Sequence, residues 1–96
     1  MSVIAVIRMH CHAGKGGTLE EALAKPIAVT KENPDCPSIE LFVSTDSPDE
    51  LLLIEEWSSE AAHHKHVENL NAEGMLDAAN SAMASLENVH YTETGL

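Results

Sequence analysis

LLLIEEWSSEAAHHKHVENL, Leu51 to Leu70, contains the transition on which the fold turns. Four apolar residues, Leu51 to Ile54, run into Glu55 and Glu56 and then into the only tryptophan, Trp57. Ser58, Ser59 and Glu60 make a polar step, and His63, His64 and His66 follow within four positions. The first part reads as a strand, Glu50 to Trp57. The second reads as a helix capped by Ser58 or Ser59. Side chains alternate along a strand, so Leu51, Leu53, Glu55 and Trp57 share one face. Leu52, Ile54 and Glu56 share the other. Both faces begin apolar, whereas a sheet with one wet face would alternate with polar residues. The second apolar face calls for a partner, and a homodimer packed sheet to sheet is the simplest one.

Upstream, SIELFVS (Ser38 to Ser44) reads as a strand, and TDSPD (Thr45 to Asp49) joins it to the next as a hairpin. Asn33-Pro34-Asp35 is a turn. Thr18 to Lys31 reads as a helix, with Thr18 and Glu21 at capping-box spacing. Leu19, Ala22, Leu23, Ile27 and Thr30 recur there at roughly helical intervals. Pro26 is expected to kink that helix or end its first half. Gly14 to Gly17 is read as a turn, because its spacing is not that of a phosphate-binding loop. Val3 to His12 reads as the first strand. Val3, Ala5, Ile7, Met9 and Cys11 lie on one face, and Ile4, Val6, Arg8, His10 and His12 on the other.

Downstream, the helical region is expected to reach about Glu87, with an interruption near Asn71 to Gly74. Met75, Leu76, Ala79, Met83 and Leu86 form its apolar stripe. Val89 to Thr94 closes the chain as a strand. The order is β-α-β-β-α-β, an α+β, ferredoxin-like plan with helices on one face of an antiparallel sheet. Residues 1–96 make a single domain.

The net charge of −11, from 16 acidic and 5 basic residues, argues against nucleic acid or an anionic membrane as partner. No apolar run approaches the ~20 residues of a membrane span. The N-terminal segment lacks a basic region and a small-residue cleavage site, so a cytoplasmic setting is expected. Cys11 and Cys36 form no CxxC motif and read as small buried hydrophobes.

Glu55 and Trp57 are neighbours at a strand end, and His66 lies about two turns into the next helix. Folded back, the three would line one small cavity. A carboxylate and an imidazole can exchange or orient protons, and an indole offers a flat apolar wall. Structural roles stand beside these: Trp57 as core anchor, Glu55 paired with Arg8 or a lysine, His66 solvated on its helix. The six histidines also raise a metal reading. His10 and His12 on one strand face, and His63 one turn from His66, are residue types that suit Zn, Cu or Ni. The three-histidine cluster is expected to be exposed, which weighs against it. His90 would come near the first strand if the last strand pairs with it.

The chain resembles the antibiotic biosynthesis monooxygenase family, small dimeric ferredoxin-like proteins. AGKGGTLEEAL is similar to that family's turn into its first helix. KPIAVTKENPDCPSIELFVSTDSPDELLLIEEW looks like the helix end, turn and hairpin that follow. The best signature is Glu55-x-Trp57, with His66 nine residues after the tryptophan. The resemblance implies a pocket between sheet and helices, and a dimer whose two sheets make a barrel. It implies oxidation of a small aromatic or quinol-like substrate by molecular oxygen, without metal or flavin cofactor. On that basis His66 is the base or proton shuttle, Glu55 orients it or shares the proton, and Trp57 stacks on the ring. The haem-degrading branch carries an asparagine where this chain, aligned through Gly14, has Ile7, so haem is disfavoured. The polyketide branch tends to surround its pocket with tyrosines and an arginine, whereas this chain has only Tyr91 and Arg8.

Two classes of function remain at this level. One is a cofactor-independent oxygenase or related proton-transfer enzyme. The other is a protein that binds a small molecule or metal without turnover.

Overall fold

Residues 2–96 are described by the structure, a computed structural model. Strand β1 spans Val3–Cys11, helix α1 Gly16–Lys31, β2 Ser38–Val43 and β3 Glu50–Trp57. Helices α2 (Glu60–Ala72) and α3 (Asp77–Ala82) follow, and β4 (Met83–Tyr91) ends the sheet. The strand order is β2-β3-β1-β4, with every neighbouring pair antiparallel. This is the ferredoxin-like α+β arrangement expected from the element order.

The alternation read in β3 is the alternation that burial follows. Leu51, Leu53, Glu55 and Trp57 are buried, while Leu52, Ile54 and Glu56 are half-buried on the opposite face. Ala5, Ile7 and Met9 of β1 join the buried set, with Leu19 and Leu23 of α1 and Ala79 and Ala82 of α3 packed over them. The core therefore lies between one sheet face and the helices. The other face carries Arg8 and His10 of β1 beside Leu52 and Glu50 of β3. Phe42, Val89 and Tyr91 on that side are exposed.

Helix α1 begins at Gly16, ahead of the expected start, and Thr18 caps nothing. Its end is tied instead by Asp49 from the β2–β3 loop, which accepts from the backbone N–H of Gly14 and of Gly16 at 2.9 Å each. These bonds hold the Asp49 carboxyl below its ordinary value. The loop approaches so closely that a Cβ on Gly16 would lie 1.7 Å from the Pro48 carbonyl oxygen. Pro26 does not end the helix, which continues to Lys31. An interior proline costs about 3 kcal/mol, and here the buried stripe Leu19, Leu23, Pro26 and Thr30 opposes that cost.

The second helical region ends sooner than expected. It stops at Ala82, and Met83 opens a strand that reaches Tyr91. Met83 and Leu86 have helical spacing, but β1 lies in the middle of the sheet and needs a hydrogen-bonding neighbour on that side. Leu86 pairs with Met9 and Val89 with Val6, and a register shift at His10/Cys11 accommodates Met83 opposite Cys11. Likewise β1 ends at Cys11 and not at His12.

Candidate active site

A cavity of about 230 Å³ lies between the sheet and the helices. Its walls are mostly apolar, with Ile7, Met9 and Leu53 from the sheet and Leu23 and Ile27 from α1. Glu55, His63, His66 and Thr30 are polar residues of the same lining.

Period-two geometry aims Glu55 inward, where it is only 5% exposed. Its Oε1 accepts the indole N–H of Trp57 at 2.7 Å. Burial pushes the Glu55 carboxyl above its ordinary value, and the indole bond partly opposes that shift. The His63 Nε2 lies 3.6 Å from the same oxygen, too far for a hydrogen bond, and has no other partner.

Helix α2 brings the imidazoles in. The Ser59 hydroxyl accepts from the Ala62 N–H at 3.1 Å and caps the helix. From that start His63, His66 and Leu70 recur on the buried side. The expectation of an exposed histidine cluster fails for two members: His63 is 1% and His66 8% exposed, while His64 faces solvent. Apolar residues on α2 are sparse, so the imidazoles fill the sheet-facing stripe.

Hydrogen-bond chemistry assigns the His66 ring. Thr30 Oγ1 donates its single proton to the Pro26 carbonyl at 2.9 Å, so it accepts from His66 Nε2–H at 2.8 Å. Asn33 Oδ1 accepts from the Asp35 N–H at 3.0 Å, which turns its NH2 toward His66. His66 Nδ1 then accepts from Asn33 Nδ2 at 3.2 Å. His66 is thus neutral, held on both nitrogens, and burial lowers its pKa.

Trp57 is fully buried and does not line the cavity. His63 stacks on it at a centroid distance of 5.2 Å, and His66 lies tilted at the same distance. The indole thus stands behind the two imidazoles and not at the cavity wall, where the expected stacking on a substrate ring would place it. The carboxylate expected beside His66 lies beside His63. Arg8, the alternative partner for Glu55, sits exposed on the opposite sheet face.

The remaining histidines divide as follows. His10 contacts Glu50 and lies 3.0 Å from Glu87, and these carboxylates raise its pKa. His12 lies past the strand end, exposed, with its N–H bonded to the Ala82 carbonyl at 3.0 Å. Among the described residues no three His, Cys, Asp or Glu side chains come together as a metal site. Cys36 is buried, and burial pushes its thiol up to about 11. His90 pairs with Ala5 across β1 and β4, which puts its ring on the helix side of the sheet. Its Nε2 lies 2.8 Å from His63 Nδ1, and its Nδ1 lies 3.2 Å from Glu60 Oε1. Thr30 and Asn33 meet a histidine 36 and 33 positions away, and neither the helical stripe nor the turn that holds them carries a local sign of it. Glu60 likewise shows no sign in the sequence of meeting His90.

The family profile described as antibiotic biosynthesis monooxygenase matches residues 2–81. The chain belongs to the antibiotic biosynthesis monooxygenase family. Solved structures agree at the level of fold. A variant of SnoaB, a cofactor-independent oxygenase from Streptomyces nogalater, is 18% identical with a TM-score of 0.83, covering 99% of this chain and 95% of that one. A conserved protein from Methanosarcina mazei Go1 is 15% identical with a TM-score of 0.86, covering 98% and 94%. No curated protein matches the sequence. Within this antibiotic biosynthesis monooxygenase domain the matched segment contains Glu55, Trp57, His63 and His66 and ends before His90. No helix among the described residues is long and apolar enough to cross a membrane.

Proposed function

We propose that the protein is a monooxygenase that oxidises a small phenolic or quinol-like molecule with molecular oxygen, without metal or flavin. The observation that carries this reading is a buried carboxylate, Glu55, 3.6 Å from the buried His63 imidazole, with both groups and His66 lining a mostly apolar cavity. An apolar aromatic ring suits those walls, and its hydroxyl would sit at Glu55. The role of base passes from His66 to Glu55 in this proposal. Both nitrogens of His66 are occupied, so His66 shapes the cavity wall. Glu55 is the base: its raised pKa brings a carboxylate nearer the range useful for proton transfer near neutral pH.

The chemistry balances without a further reagent. Glu55 removes the hydroxyl proton, and the electron-rich anion donates one electron to O2. The two radicals join as a carbon–oxygen bond, and the held proton returns to the resulting peroxide. Loss of the ring C–H proton with departure of hydroxide makes the second carbonyl and one water. Phenol plus O2 thus becomes quinone plus water. The family assignment and the fold shared with SnoaB support this reading.

A homodimer is part of the proposal, packed through the sheet face that carries Leu52, Ile54, Phe42 and Val89. Half-buried and exposed apolar side chains side by side on that face support it.

Oxygen uptake by chelator-treated protein over a panel of air-oxidisable quinols tests the function. Uptake that Glu55→Gln lowers by about 100-fold or more is expected. A wild-type protein inert toward every quinol, yet binding them, would turn the reading to a binding protein or a non-oxidative enzyme.

A further inference from the structure

We propose that Glu55, His63, His90 and Glu60 form a proton wire linking the buried base of the cavity to solvent. The inference rests on the functional reading above, in which Glu55 takes the substrate proton. Its motive is the orphaned nitrogen: His63 Nε2 is buried, has no hydrogen-bond partner, and faces Glu55 Oε1 at 3.6 Å. A buried polar atom without a partner is costly unless a group comes and goes there.

The ring protons follow from the outer end inward. The Glu60 side chain is 61% exposed, and an ionised carboxylate only accepts, so His90 Nδ1 carries the proton between them at 3.2 Å. A neutral His90 then has a bare Nε2, which accepts from His63 Nδ1–H at 2.8 Å. His63 Nε2 is left with its lone pair toward Glu55. Every link points the same way, from Glu55 toward Glu60. Three elements supply it: β3 gives Glu55, α2 gives His63 and Glu60, and β4 gives His90.

The wire answers a problem of charge. The groups around His63 are Glu55 from β3, His64 and His66 from α2, and His90 from β4. Burial and these imidazoles hold His63 down to about 4, so a cation does not rest there. Concerted transfer avoids one. The Glu55 proton moves to His63 Nε2 as the Nδ1 proton moves to His90 Nε2 and the His90 Nδ1 proton to Glu60. Both rings change tautomer and neither keeps a charge, and reversal returns the proton when the peroxide needs it. Glu55 is the catalytic residue. His63, His90 and Glu60 act through it.

The test uses the two outer positions, with the His90 side chain 14% and the Glu60 side chain 61% exposed. His90→Ala and Glu60→Gln are expected to lower kcat about 10-fold or more with KM within about twofold. Added imidazole buffer should restore kcat in His90→Ala and leave wild type unchanged. Unchanged kcat in both variants, or a loss that imidazole does not restore, overturns the wire. Nitrogen-15 spectra of the histidine rings decide it without turnover. In the resting protein the wire requires the proton of His63 and of His90 on Nδ1, and a His63 ring protonated at Nε2 there overturns it. If wild type oxidises no quinol, the proposed function fails and the wire with it, whereas a wire that fails in active protein leaves the function standing.

Discussion

The Trp57 indole donates to the Glu55 carboxylate at 2.7 Å, two residues back along the same strand face. One hydrogen bond thus ties the largest fully buried side chain to Glu55, the one buried carboxylate among the described residues. Trp57→Phe keeps most of the packing and removes the donor. Loss of the bond should cost about 1–3 kcal/mol, read as a lower urea midpoint. Because the indole lowers the Glu55 pKa, its removal raises it, and the acid limb of the pH–rate profile should move to higher pH. An unmoved limb would separate Glu55 from the rate.

His63 gives the fold a pH dependence with a definite sign. Its pKa falls from 6.5 to about 4 on folding, so the unfolded chain binds the proton more readily. The stability tied to its neutral form is complete above 6.5 and is lost as pH falls from there toward about 4. His66, also lowered, acts in the same direction. Urea midpoints measured across that window should decline for wild type and decline less for His63→Phe. Parallel curves would contradict the depressed His63.

Asp49 closes the start of α1 from a loop 33 residues away. The backbone bonds that depress its pKa contribute stability above the ordinary value of 3.8 and are lost as pH falls through the folded value. Asp49→Asn should therefore be less stable than wild type at neutral pH, with the gap narrowing in acid. Gly16→Ala forces a Cβ onto the Pro48 carbonyl, and a loss of about 1–3 kcal/mol or more is expected at any pH. Thermal melts of both variants check the pair.

The dimer proposal predicts a species of twice the chain mass at micromolar concentration in sedimentation equilibrium. Ile54→Glu puts a charge into the middle of the proposed interface and should give the 10.3 kDa monomer with its secondary structure intact. Wild type sedimenting at that mass would remove the interface.

Local patterning in the sequence determined the order of elements, the hairpin, and the placing of Glu55 and Trp57 on one strand face. Strand alternation has a period of two, so those inferences need only a few adjacent residues. The tertiary structure decided which imidazole meets the carboxylate. His63 and His66 are one helical turn apart, and only the way α2 lies over the sheet puts His63 beside Glu55 and His66 beside Thr30 and Asn33. It also decided where β4 begins, because Met83 and Leu86 fit a helix locally and a strand once β1 offers its open edge. His90 reaches His63 through the register that sets Ala5 opposite it, and Asp49 reaches Gly16 through the hairpin's return. Such long-range hydrogen bonds leave no periodic trace in the chain, because their partners are brought together by packing and not by spacing.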